Sequence, residues 1–137
     1  MSYRKHQNLI KIFKLKIQKE FPGIRLFDRH VGQFLSTRFA NDLIKGDCTK
    51  YDFKNYIISI NKPGMADCYA LLPSESGLIH LEFEFKTGNA VQSNNQKVWQ
   101  KFIEDQNGIY IIVRDEYHKA VKELQDKIKR AGIILIR

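Results

Sequence analysis

The stretch Ile79-His80-Leu81-Glu82-Phe83-Glu84-Phe85-Lys86 decides the fold, because it alternates apolar and polar residues without a break. Successive side chains of an extended strand point to opposite faces, so Ile79, Leu81, Phe83 and Phe85 line one face and His80, Glu82, Glu84 and Lys86 the other. The turn Ser74-Glu75-Ser76-Gly77 joins it to a preceding strand, Asp67 to Leu72, which is entered through Lys62-Pro63-Gly64. Downstream, Val98, Trp99, Phe102 and Ile103 form the expected buried stripe of a helix from about Asn94 to Gln106. Ile109 to Val113 is apolar enough for a strand buried on both faces. Asp115 is placed to cap a last helix with the stripe Tyr117, Val121, Leu124 and Ile128, ended by Gly132, and Ile133 to Ile136 reads as a closing edge strand.

Upstream, Leu9, Ile10, Phe13 and Ile17 recur at helical spacing between Arg4 and Glu20, with Lys5, Lys11, Lys14 and Lys19 distributed around them. Phe21-Pro22-Gly23 stops this basic helix. Ile24 to Arg29 reads as a short strand, Gly32 to Phe39 as strand or irregular, Asn41 to Asn55 as a loop or insertion without clear period, and Tyr56 to Asn61 as a strand that opens a meander. The order predicts an α/β fold, a mixed central β-sheet flanked by helices. A chain of 137 residues has the length of one domain, spanning 1–137, and its 43% hydrophobic content suffices for a core.

The charge balance, 23 Lys+Arg against 15 Asp+Glu for a net +8, favours a polyanionic partner. Apolar runs such as Ile133 to Ile136 fall far short of the ~20 residues that span a bilayer, and the polar start is unlike a secretory signal, so no membrane role and a cytoplasmic location are expected. Cys48 and Cys68 are the only cysteines and read as reduced thiols, and neither pairs with a histidine at a recognised zinc spacing. No GxGxxG or phosphate-loop motif is present.

Two carboxylates and a lysine on one strand face cost free energy to desolvate, so period alone favours a solvated face for Glu82, Glu84 and Lys86. Asp67 points the other way. It opens the neighbouring strand of a hairpin and can lie beside Glu84, so that two carboxylates and Lys86 make a magnesium site next to a cationic donor. Such a site turns bound water into a nucleophile while the lysine orients it or stabilises charge on a phosphate.

In order along the chain, Gly64-Met65-Ala66-Asp67, then Glu84-Phe85-Lys86, then Gln96 resembles the VRR-NUC family of the PD-(D/E)xK nuclease superfamily, in particular its small standalone phage and bacterial members. The segment Arg25 to Phe34 is also similar to the one between the first helix and GxPD in such members. The resemblance implies a restriction-endonuclease-like core. Asp67 and Glu84 would be metal ligands, the Phe85 carbonyl a third, Lys86 the catalytic lysine and Gln96 an active-site residue. It further implies magnesium or manganese as cofactor and a homodimer that cuts branched DNA such as Holliday junctions. Two departures stand out. Ala66 replaces the proline of GxPD, and the first helix lacks the family's usual early glutamate, leaving His6, Gln7 or Glu20 as substitutes.

The function expected on these grounds is a metal-dependent, structure-selective DNA endonuclease. The alternative, motivated by the missing glutamate, is a catalytically silent nucleic-acid-binding module of the same fold. Arg4, Lys5, Arg25, Arg29, His30 and Arg38 are the expected phosphate contacts. Glu82 reads as solvated or paired with lysine before it reads as a ligand, His80 as a surface residue, and Trp99 as a core or interface anchor.

Overall fold

The basic N-terminal segment winds into helix α1 (Ser2–Glu20), which buries Leu9, Phe13 and Ile17 along one stripe. Phe21-Pro22-Gly23 then turns the chain into strand β1 (Arg25–Asp28). The computed structural model that gives these elements describes residues 2–29, 32–35, 37–52, 57–60 and 63–136. They fall into two compact units, one of Met1–Arg29 with Gly64–Arg137, the other of His30–Pro63.

In the smaller unit, β2 (Gly32–Leu35) pairs antiparallel with β3 (Ile57–Ile60), and helix α2 (Thr37–Lys45) lies between them in sequence. Two expectations are corrected here. Asn41 to Asn55 is not simply a loop, since α2 runs through Lys45, and none of its residues is buried. Its Phe39, Ala40, Leu43 and Ile44 do recur at helical spacing, a period that the surrounding polar and glycine-containing stretch obscures. Nor does the strand before Pro63 begin a meander with the next one, because Lys62-Pro63-Gly64 marks the junction of the two units rather than a hairpin turn.

The larger unit is built on a four-stranded mixed sheet of order β1-β4-β5-β6, with β4 (Cys68–Ser74), β5 (Gly77–Phe85) and β6 (Ile109–Val113). β4 and β5 form the expected hairpin in the register Cys68↔Phe83 and Tyr69↔Glu82, so Asp67, one residue earlier, stands opposite Glu84. β6 runs parallel to β5, reached by a crossover through helix α3 (Asn94–Asp105). Helix α4 (Tyr117–Arg130) closes the order.

The two faces of β5 meet different layers. Leu81, Phe83 and Phe85 join Phe13 and Ile17 of α1 and Ala120, Leu124 and Ile128 of α4 in the main core, with Phe13 edge-on to Phe83 and Phe85 at 5.0 and 5.4 Å between centroids. Glu82 and Glu84 face the other way, towards α3, and both are buried.

Three further details depart from the sequence reading. Of the expected α3 stripe only Ile103 is buried, while Val98 and Phe102 are exposed. Asp115 does not cap α4; the N-cap is Glu116, without a side-chain bond, and Asp115 accepts from the Gly88 N–H at 3.3 Å. Ile133 to Ile136 makes a single bridge, Leu135 to Ser74, rather than a strand. Among the described residues, no helix is long and apolar enough to cross a membrane.

Candidate active site

The site is assembled where the end of β5 meets the turn before β4 and the first turn of α3. Gly64 makes that meeting possible. Its φ is +92°, and a Cβ there would lie 2.5 Å from the Asn95 backbone carbon, so only glycine lets the turn approach α3 so closely. Ala66 is buried, and its carbonyl accepts from the Arg29 guanidinium at 3.2 Å. The Arg29 N–H donates to the Asp67 carbonyl at 2.9 Å. The backbone before Asp67 is therefore held by Arg29 from both sides.

Asp67 turns its carboxylate towards β5, where Oδ2 accepts from the Phe85 N–H at 2.8 Å. Glu84 is 3% exposed; its Oε1 accepts from Gln96 Nε2 at 2.7 Å and faces Lys86 Nζ at 3.4 Å. Its Oε2 is buried without a hydrogen-bond partner among the described residues, while the Asp67 backbone N–H is near enough to the carboxyl to favour its charged form. Burial, and after it the neighbouring Asp67 charge, push the Glu84 carboxyl up to about 7, against the pull of Lys86.

Lys86 Nζ also donates to Gln96 Oε1 at 2.8 Å, so Gln96 bridges the acid and the ammonium. Gln96 is held by a capping box. Its N–H donates to Ser93 Oγ at 3.2 Å, and its Oε1 accepts from the Ser93 N–H at 2.9 Å. Ser93 is absent from the sequence reading above, although Ser93-Asn94-Asn95-Gln96 carries the capping-box spacing.

The charged face of β5 is not solvated. Glu82 is fully buried and grips Arg29 in a fork, Nη1 at 2.6 Å and Nη2 at 3.0 Å, with His80 Nε2 at 3.1 Å. The guanidinium lies 4.8 Å over the Tyr69 ring, and His80 stacks on the same ring. Arg29, expected to contact phosphate, thus has a side chain only 8% exposed and engaged with Glu82. Trp99 packs 5.4 Å from Phe102, its indole N–H buried and unpartnered among the described residues.

Among the other expected phosphate contacts, Arg4 and Lys5 are exposed on the first turns of α1 and Arg25 is exposed on β1. Arg38 lies on α2 in the smaller unit, 3.3 Å from Asp42, and His30 lies outside the described residues. His6, on the first turns of α1, reaches the site. Its Nε2 is 3.0 Å from the Phe85 carbonyl oxygen and 3.6 Å from Asp67 Oδ2.

A divalent ion is compatible with these residues. Glu84 Oε2, buried and without a hydrogen-bond partner among the described residues, is a hard oxygen donor, and the Phe85 carbonyl and Asp67 carboxylate stand at the same strand end. No three His, Cys, Asp or Glu side chains among the described residues gather into a cage. An ion here would therefore draw on the backbone carbonyl and keep waters, as magnesium commonly does. In comparisons with family models, characterised proteins and solved structures, the chain matches none.

Proposed function

We propose that this chain is a divalent-metal-dependent DNA endonuclease with a PD-(D/E)xK-type core, acting as a homodimer on branched DNA such as four-way junctions. The observation that carries the reading is the gathering of Asp67, Glu84, Lys86 and Gln96 at one strand end around a buried carboxylate oxygen that has no hydrogen-bond partner among the described residues. Asp67, Glu84 and the Phe85 carbonyl would hold the ion, which when bound supplies Lewis acidity at phosphorus and a water of lowered pKa.

The chain's own residues do the rest. Gln96 fixes the Lys86 ammonium beside Glu84, so that a positive charge waits where negative charge grows on the phosphate. Water oxygen bonds to phosphorus and one P–O bond to a sugar oxygen breaks. One water proton ends on that sugar oxygen, and the other stays on the new phosphate monoester. Exposed Arg4, Lys5 and Arg25 supply backbone charge contacts without base reading.

The test compares wild type, Asp67→Ala and Lys86→Ala on a labelled four-way junction and a linear duplex with magnesium or manganese. Wild type is expected to cut the junction, and both variants to lose at least a hundredfold in rate. Equal cutting by the variants overturns the site. One observation favours a second reading, a silent nucleic-acid-binding module: α1 brings a histidine rather than a carboxylate to the site. That reading predicts salt-dependent junction binding by wild type with no cleavage in either metal.

A further inference from the structure

We infer that the hollow between His80 and Trp99 binds the base of an unpaired nucleotide, as the next ring in a stack that the sheet already begins; the inference rests on the nucleic-acid side of the reading above and not on cleavage. Phe27 on β1, Tyr69 on β4 and His80 on β5 share one face of the sheet, the face that also carries Glu82 and Glu84. Their rings stand nearly parallel across three strands. Phe27 stacks on Tyr69 at 5.0 Å between centroids and 17°, and Tyr69 on His80 at 5.8 Å and 13°. At His80 the row stops. Gly108, beside His80 just before β6, has no side chain to continue it. A hollow of about 280 Å³ lies there, walled by His80, Arg29, Trp99, Phe102 and Gln106.

The walls select the occupant. Aromatic rings reach the hollow from both β5 and α3, where Trp99 stacks on Phe102 at 5.4 Å, and such walls favour a flat π-ligand. Phe102 is 52% exposed, apolar area that the fold itself leaves open. The volume falls just below the roughly 300–1,000 Å³ of sites that enclose a whole drug-sized ligand, so it suits a single base. Arg29 is already neutralised by Glu82, which makes the hollow fitter for a neutral ring than for a phosphate. The charge a phosphate needs lies outside it, in exposed Arg25 on the same face of β1 as Phe27 and in the net +8 of the chain. Position completes the case. His80 precedes Glu84 by four strand residues, about 13 Å, and Trp99 follows Gln96 by one turn of α3, so a strand with one base in the hollow reaches the candidate centre within a few nucleotides.

The test titrates the metal-free full chain, by calorimetry, with a short single-stranded oligodeoxyadenylate and with a strand of equal length whose sugars carry no bases, so that charge is held constant. Wild type is expected to bind the base-bearing strand about tenfold or more tightly, and only that strand should shift the Trp99 indole N–H resonance in a nitrogen–proton correlation spectrum. Phe102→Ala and His80→Leu should bring the two affinities within about threefold of each other while leaving that of the abasic strand unchanged. Circular dichroism melts verify folding, and His80→Leu, which keeps side-chain bulk, carries the test if Phe102→Ala does not fold. Equal affinities in wild type, an unmoved Trp99 resonance, or a preference that survives in the variants overturns the inference. So does free deoxyadenosine monophosphate binding as tightly as the strand, or a Phe102→Ala that dissociates a dimer and leaves the preference intact. Junction cutting is read separately. Base preference in a protein that cuts no DNA keeps this inference and sinks the nuclease reading, and cleavage by a protein without base preference does the reverse.

Discussion

Glu84 is placed where its charge is costly, and the cost has a measurable pH signature. Its carboxyl titrates at about 7 in the fold against an ordinary 4.5, because burial and the Asp67 charge oppose ionisation. Between those two values the folded chain holds a proton that the unfolded chain has released, so stability falls as pH rises through that window. At roughly 1.4 kcal/mol per unit the loss amounts to a few kcal/mol. Melts of the metal-free protein at pH 5 and 7.5 are expected to show it, and Glu84→Gln to flatten it. Arg29 gives a second expectation at this scale. Arg29→Ala leaves Glu82 buried with only His80 beside it and should destabilise by about 3 kcal/mol in denaturant unfolding, whereas breaking the exposed pair of Lys101 with Asp105 should leave stability little changed. Asp67 and Glu84 as neighbours were legible in the hairpin spacing. The burial of Glu82 was not, since period-two alternation looks the same whether the polar face meets water or a helix, and the partner Arg29 lies 53 residues away in sequence.

At the scale of elements, the first turn of α3 ties helix capping to the placement of Gln96 between Lys86 and Glu84. Ser93→Ala removes the N-cap bond, which is worth about 1 kcal/mol, and also loosens the Gln96 that bridges Lys86 and Glu84. A modest drop in melting temperature together with a loss of cleavage is the expected pair of outcomes, and a drop in stability alone would show that the cap serves only the helix. Gly64→Ala should be worse, since it combines a positive φ with overlap on backbone that cannot move aside. The strands β4 and β5 and helices α1 and α4 were readable because each carries a regular apolar stripe in sequence, and β6 because its apolar run is unbroken. Helix α2 carries apolar residues at helical spacing, Phe39, Ala40, Leu43 and Ile44, yet buries none of them, so its period was legible without marking a core face. The exposed Val98 and Phe102 show the same, apolar residues at helical spacing without a core behind them.

For the whole molecule, a net charge of +8 sets the expected binding behaviour. If Arg4 and Lys5 meet phosphates, the double variant Arg4→Ala/Lys5→Ala should weaken junction binding across sequences and lower the slope of log affinity against log salt by about 2, as fluorescence anisotropy between 50 and 200 mM salt would reveal. The sequence announced the sheet and its flanking helices but not the division into two units, because the junction at Pro63-Gly64 carries the same turn chemistry as a hairpin. One feature of the larger unit also has a practical use. Trp99 is the chain's sole tryptophan, and it lies 5.7 Å from the Arg29 guanidinium, one helical turn past Gln96. The protein therefore carries a built-in optical reporter. Excited at the indole band, its emission arises from this corner alone, so titrating cations or oligonucleotides into unlabelled wild type would follow occupancy of the neighbouring centre in real time, with no dye attached.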